Sequence, residues 1–411
     1  MKKLLTNCTL IDGLGGTPVS NARVLVVDDR IERIETGAVG ETAPDIEVID
    51  LDGGFLLPGF CSTHVHLGDL WPALESPDEP VAEKTIRAGR NAMDALRCGI
   101  TSMRSLGEDS FIDVAWRHAF EHGVHTGPTI RASGNPLIAP GGHAHFMRRN
   151  KEVRGAAAIR DEVTRLLEHG VDCIKLVSTA GETIDEGTEF GELQFTFEEI
   201  RAAAETAHEA GKSICTHTGT SDGVRQASEA GVDCIEHGYV LDQQAIDLLV
   251  EHNVFLTPTL SVTHNEAFYE RSRMAEAQRE KFRRIRARHD ESFQLACESG
   301  VQITCGADTN PVGFCTLAEI ELMVECGMAP MDAIVAATNT SARAIGIADD
   351  RGTIAVGKIA DFVILGGDPL EDIGNVWQTR LVVKSGQIVE PCADGSRDSF
   401  WDVLLSYRHV E

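Results

Sequence analysis

The chain has 411 residues and a formal net charge of −27 at pH 7. That length exceeds a usual single core, so two domains or one large barrel with an appendage are expected. The acidic balance argues against nucleic acid or an anionic membrane as partner, because long-range repulsion would slow every encounter.

The segment up to about residue 52 alternates short β-rich runs, such as 22–27 and 31–34, with Gly and Asp turns. The C-terminal segment does the same in 357–365 and 381–389. Neither piece is long enough to close its own core. They are expected to pair into one small discontinuous β-sandwich, formed by residues 1–55 and 352–411.

Between them, residues 56–351 alternate β-like runs with helical patterns, the signature of βα units and a parallel sheet. Eight strands are expected near 55–66, 101–107, 128–134, 172–179, 213–219, 234–238, 254–260 and 301–309. Helices are expected at 81–97, 155–169, 196–210 and 242–252, among others. The fold class is therefore α/β, a (β/α)₈ TIM-like barrel. An open doubly wound sheet is the competitor, but its early glycine-rich phosphate fingerprint is missing. Residues 135–150 read as a long irregular loop of the kind that carries binding groups. Residues 264–298 read as a long charged helix or a pair of helices, for which a solvated face is preferred over a lid or an oligomer contact.

No apolar run approaches the roughly 18 residues of a membrane span, and no hydrophobic signal core follows Met1. A cytoplasmic protein is expected. The eleven cysteines are scattered without a CxxC pair and are read as reduced.

The chemistry begins at His64-Val65-His66. Residues i and i+2 of a strand point to one face, so both imidazoles can converge on a metal ion. Further candidates lie at later strand ends: Lys175, His217, His237 and Asp308. Any one alone would more often be structural; six on five strand ends are hard to explain that way. Cys215, Cys234 and Cys305 each precede a candidate by two or three residues. A thiolate reading of them ranks below small apolar side chains filling the barrel. An ammonium cannot coordinate a cation, but burial and positive neighbours depress a lysine's pKa. A neutral Lys175 amine beside metal ions could take up carbon dioxide as a carbamate able to bridge two ions.

With these residues the chain resembles the amidohydrolase superfamily, of the binuclear-metal, carboxylated-lysine type. The resemblance covers nearly the whole chain, including the Leu57-Pro58-Gly59-Phe60 lead into His64 and His66. It implies that His64, His66 and Asp308 hold one divalent ion and His217 and His237 the other, with carboxylated Lys175 bridging both. Zinc is the default ion; manganese, iron and cobalt suit the same ligands. A hydroxide held between the ions would be the nucleophile, with Asp308 as general base and then general acid.

Ile174-Lys175-Leu176-Val177, the helix start at Gln194-Phe195-Thr196 and Ile235-Glu236-His237-Gly238 are similar to the Xaa-Pro dipeptidase and carboxypeptidase branch. That likeness implies a small dipeptide or N-acyl amino acid substrate and a homo-oligomer. It also implies substrate binding by His143 of Gly141-Gly142-His143, with His145 beside it. One departure stands out: the branch often continues the strand-five histidine as His-Ala-Tyr, whereas this chain reads His217-Thr218-Gly219. Tyr239 is a candidate to compensate, and a carbamate or cyclic amide substrate is the alternative. A deaminase is disfavoured by the presence of Lys175 and by the lack of a Glu soon after His217. A non-catalytic scaffold barrel would be expected to have lost ligands. Arg104 and Arg131 are read as structural ion-pair partners.

Overall fold

The computed structural model describes residues 1–37, 43–69, 79–145, 147, 149–181, 189–264, 269 and 276–391. The parallel strands in the middle of the chain fall into two sheets. Phe60–Val65, Ile100–Ser105 and Thr129–Ala132 form the first. The second runs Lys151–Glu152, Leu137–Ile138, Cys173–Val177, Ser213–Thr220, Cys234–Val240, Phe255–Thr257 and Gln302–Ile303. Backbone hydrogen bonds cross both seams: Thr63 N–H donates to Cys305 O at 2.7 Å, and Asp172 N–H to Ala132 O at 2.7 Å. The arrangement is TIM-barrel-like. Its interior is packed, with the hydroxyls of Thr63, Thr257 and Thr304 in a mutual hydrogen-bonded triad.

The helices Val81–Arg97, Ala156–Glu168, Phe197–Glu209 and Gln243–Glu251 begin and end within one residue of the sequence expectation. Local chemistry explains the sharp starts. Thr196 accepts from Glu199 N–H while the Glu199 side chain returns to the Thr196 backbone, a capping box worth about 1 kcal/mol. Asp242 caps the next helix by accepting from Ala245 N–H at 2.9 Å.

One boundary is corrected. The first strand, expected over 55–66, is two strands: Phe55–Pro58 belongs to the terminal sheet and Phe60–Val65 to the barrel. At the break, a Cβ on Gly59 would lie 2.2 Å from the Thr101 side chain, so the strands can turn only on glycine. The terminal segments, expected to pair into one small β-sandwich, share one eight-stranded sheet. Its path is Gln387–Val389, Thr379–Lys384, Phe362–Leu365, Phe55–Pro58, Lys2–Leu10, Val19–Val27 and Arg30–Thr36, with Ile46–Asp50 also on Lys2–Leu10. Irregular register near Cys8 lets Lys2–Leu10 pair with Ile46–Asp50 through its first half and with Phe55–Pro58 through its end. Bulges of this kind bend and twist a strand, turning a corner without breaking the sheet. The sheet curls until Arg30 bridges Ile359, enclosing a core that includes Leu5, Val24, Val26, Phe362, Ile364 and Val383. Residues 392–411 lie outside the described residues.

The expected loop at 135–150 contains the short strand Leu137–Ile138, which pairs with Lys151–Glu152 just beyond it. In the charged segment, Ser261–His264 is a short helix and Glu276–Glu298 a long one. The outer face of the long helix is laced by Glu276–Arg283 and Glu280–Arg284 pairs, while Phe282, His289 and Phe293 are buried beneath it. Among the described residues no helix is long and apolar enough to cross a membrane.

Candidate metal centre

The strands deliver all six expected ligands to one end of the barrel. His64 Nε2 and His66 Nε2 lie 3.3 and 3.1 Å from the same oxygen, Asp308 Oδ1. His217 and His237 pack with ring centroids 4.4 Å apart, and His237 lies 5.2 Å from His64, joining the two groups. Lys175, buried on the neighbouring strand, interacts electrostatically with all four imidazoles and with Asp308.

Backbone conformation does part of this work. Alternation along a strand would send Glu236 and His237 to opposite faces, yet both reach His64. His237 has φ of 80° and Asp308 φ of 54°. Such left-handed backbone on a side chain other than glycine costs about 1–3 kcal/mol and persists only where the surroundings hold it. Here the hold is visible: His237 Nδ1 is 2.7 Å from Thr259 Oγ1, and Asp308 N–H donates to His64 O at 3.2 Å.

A second layer fixes the imidazoles. His64 Nδ1 lies 2.9 Å from Glu236 Oε2, and His66 Nδ1 lies 3.2 Å from the Gly107 carbonyl oxygen. These contacts leave each Nε2 to face the centre, the arrangement that orients metal-ligating histidines. Glu236 is fully buried and also accepts from Arg104 Nη2 at 2.7 Å. Burial would raise the Glu236 pKa, but Arg104 and His64 outweigh it and hold the carboxyl at about 2. Burial lowers His64 to about 4 and pushes His66, His217 and His237 down as well. The imidazoles are thus neutral near pH 7, the form that coordinates metal. Asp308 stays ionised: burial opposes its charge, and His64 and His66 override it.

Whether the residues fit two ions is decided by atoms left over. Among the described residues, Lys175 Nζ and His217 Nε2 are buried with no hydrogen-bond partner. Unpaired buried polar atoms are costly, so this half is built for a group the chain does not itself supply. Four neutral imidazoles and one carboxylate are a donor set that suits divalent ions.

The substrate-side candidates separate. His143 is buried and stacks on His217 with centroids 4.6 Å apart; a Cβ on Gly181 would strike its ring at 2.4 Å. His145 is exposed, its Nδ1 3.2 Å from the Gly142 oxygen. Tyr239 is fully buried and stacks on His237 at 5.0 Å. A side chain on Gly219 would meet both Phe190 and Tyr239 at 3.1 Å, so these two rings pack close against the glycine.

Of the two arginines, Arg104 pairs with Glu236 through Nη2 at 2.7 Å and donates from Nε to Thr63 O at 2.8 Å, and Arg131 makes a longer 3.5 Å contact with Asp172 at a half-exposed position. Cys215, Cys234 and Cys305 are buried, and burial pushes each thiol up, so they act as small neutral side chains. Sequence reasoning missed Glu236, Thr259 and Arg149. A carboxylate in the apolar run Cys234-Ile235-Glu236 was a usable signal; the roles of Thr259 and of Arg149, which pairs with Asp69 behind His66, depend on contacts between distant segments.

The sequence matches the amidohydrolase family over residues 55–389. Ochratoxinase from Aspergillus niger is 27% identical over 385 residues, covering 84% of this chain and 78% of that protein. The crystal structure of a Xaa-Pro dipeptidase with bound methionine superposes with a TM-score of 0.87 at 29% identity, covering 95% of this chain and 100% of that one. A prolidase complexed with N-methylphosphonate-L-proline gives a TM-score of 0.85 at 26% identity, again over 95% of this chain and 100% of that one. With strand-borne histidines, an aspartate and a lysine gathered at one end of a TIM-barrel-like fold, the chain belongs to the amidohydrolase family and is a hydrolase acting on carbon–nitrogen bonds.

Proposed function

We propose that the chain is a metal-dependent amide hydrolase whose substrate is a dipeptide or an N-acyl amino acid. The observation that carries this reading is the convergence of six ligand-type side chains around the unpartnered Lys175 Nζ and His217 Nε2. His64, His66 and Asp308 would hold one divalent ion and His217 and His237 a second, with Lys175, as its carbamate, completing the ligand set; zinc is the preferred ion. When bound, such ions acidify a water and polarise the scissile carbonyl.

The chain's own residues do the rest. Glu236 and the Gly107 carbonyl fix the orientation of His64 and His66. Asp308, kept ionised by its imidazole neighbours, takes a proton from the attacking water and delivers it to the leaving amine. His143, packed on His217, donates to the substrate carboxylate, with His145 at the outer edge of the same loop. Tyr239 packs against Gly219. The similarity to a Xaa-Pro dipeptidase and a prolidase supports the peptide-like substrate. A carbamate or cyclic amide is the second reading, favoured by Thr218-Gly219 standing where the peptidase branch often carries Ala-Tyr. The segments 1–55 and 352–411 would form a discontinuous β domain beside the barrel of 56–351.

The test is a screen of dipeptides, N-acyl amino acids, carbamates and cyclic amides against protein loaded with zinc, manganese or cobalt. Preferred turnover of substrates bearing a free α-carboxylate is expected. Turnover of carboxylate-free carbamates or cyclic amides alone would replace the first reading with the second.

A further inference from the structure

A second cluster of ligand-type side chains lies outside the centre described above. His264 ends the helix Ser261–His264, Asp290 lies in Glu276–Glu298, and Cys326 caps the helix Val312–Glu325. His264 Nε2 is 2.6 Å from Asp290 Oδ1, and Cys326 Sγ is 3.5 Å from each of those atoms. Three elements far apart in sequence thus bring a nitrogen, an oxygen and a sulfur to one point.

The cluster repeats the pattern of the first centre. There, His66 turns Nδ1 to a backbone carbonyl, Gly107 O at 3.2 Å, and Nε2 to Asp308 at 3.1 Å. Here, His264 turns Nδ1 to Leu260 O at 3.0 Å and Nε2 to Asp290 at 2.6 Å. A carbonyl acceptor on Nδ1 turns Nε2 toward the carboxylate, so a metal ion would take the place of the proton that Nε2 shares with it. The His264 side chain is 2% exposed and that of Asp290 35% exposed, so the cluster is anchored inside and open on one side, where water can complete a tetrahedron.

From this we infer that His264, Asp290 and Cys326 form an additional metal site, of zinc class, separate from the candidate catalytic centre. Thiolate, imidazole and carboxylate together select zinc-like ions over magnesium or calcium. Binding releases the Cys326 thiol proton to solvent as the sulfur–metal bond forms. An ion here would clamp three elements to one another. It would also brace the wall of the first site: Thr263 Oγ1, 2.9 Å from His264 Nδ1, lies 2.8 Å from His289 Nδ1, and the His289 ring packs edge-on against Tyr239.

The thiol makes the site distinguishable, because none of the six candidates in the first centre is a cysteine. Metal-free full-length protein titrated with Co²⁺ is expected to develop a near-ultraviolet thiolate-to-cobalt charge-transfer band whose final intensity corresponds to one ion per chain and which added zinc bleaches. Cys326→Ala should abolish the band while Lys175→Ala retains it. Asp290→Asn, at a partly exposed position that need not disturb folding, should weaken Co²⁺ binding at this band by at least about tenfold. Absence of the band in the wild-type protein, its survival in Cys326→Ala, or unchanged affinity in Asp290→Asn would each overturn the assignment. None of these readouts requires turnover, so the site can fail independently of the proposed activity.

Discussion

The two halves of the candidate catalytic centre are built differently. In the half formed by His64, His66 and Asp308, the side chains already satisfy one another: two imidazoles share a carboxylate oxygen, and their outer nitrogens rest on Glu236 and a backbone carbonyl. In the half formed by Lys175, His217 and His237, the lysine amine and one imidazole nitrogen have no hydrogen-bond partner among the described residues. The first half is held in shape by the chain alone. The second leaves those two atoms open, and it is there that His143 and Tyr239 stack on the histidines. Under the proposed function, substrate recognition and completion by ions would share this side of the site.

The sharpest way to break this comparison is Lys175→Ala. Removing the bridging group should lower kcat/KM by about 10⁴-fold, with partial rescue by small carboxylates such as formate or propionate. Retained activity in steady-state assays would refute the bridging role. For the same reason, chelator-stripped protein should regain activity faster with zinc plus bicarbonate than with zinc in carbon-dioxide-free buffer; equal rates would show that no carbamate forms.

In the self-satisfied half, Asp308→Asn should lower kcat by about 10³-fold with little change in KM, because it removes a proton carrier used during reaction. A large KM effect with kcat preserved would instead mean a binding role. Glu236→Gln tests stability in the same half. It leaves Arg104 buried without its counter-charge, a loss of about 3–5 kcal/mol in denaturant unfolding. Arg131→Met, at a half-exposed and longer pair, should cost no more than about 1 kcal/mol. Equal costs would mean that the Arg104–Glu236 pair does not support His64 as described.

The smallest effect concerns the substrate side. His143→Asn should raise KM for a carboxylate-bearing substrate about tenfold, close to the value of one charge-assisted hydrogen bond. His145→Asn, exposed on the same loop, should change KM by less than about twofold. A reversal of that order would move the substrate pocket outward along the loop.

Much of this was legible in the chain. Strand and helix periodicity placed most barrel elements to within a few residues, because burial on one face imposes a repeat that does not depend on distant contacts; the last strand, expected over 301–309, is only Gln302–Ile303. His64-Val65-His66 and the strand-end positions of Lys175, His217, His237 and Asp308 were visible for the same reason: a strand has a direction, and a parallel barrel points all its strand ends one way. The terminal sheet was legible in its strands but not in their pairing order, since the irregular register near Cys8 sets how Lys2–Leu10 shares its partners.

By itself, then, the sequence determined which residues could bind metal and at which end of the fold they would gather, since both follow from local period and chain direction. Only the tertiary structure decided how they are divided. It paired Glu236 with Arg104 across the barrel, turned His237 and Asp308 into left-handed backbone, and left Lys175 Nζ and His217 Nε2 without partners. Each of these depends on what other strands place nearby, and no spacing along one strand encodes its neighbour's side chain.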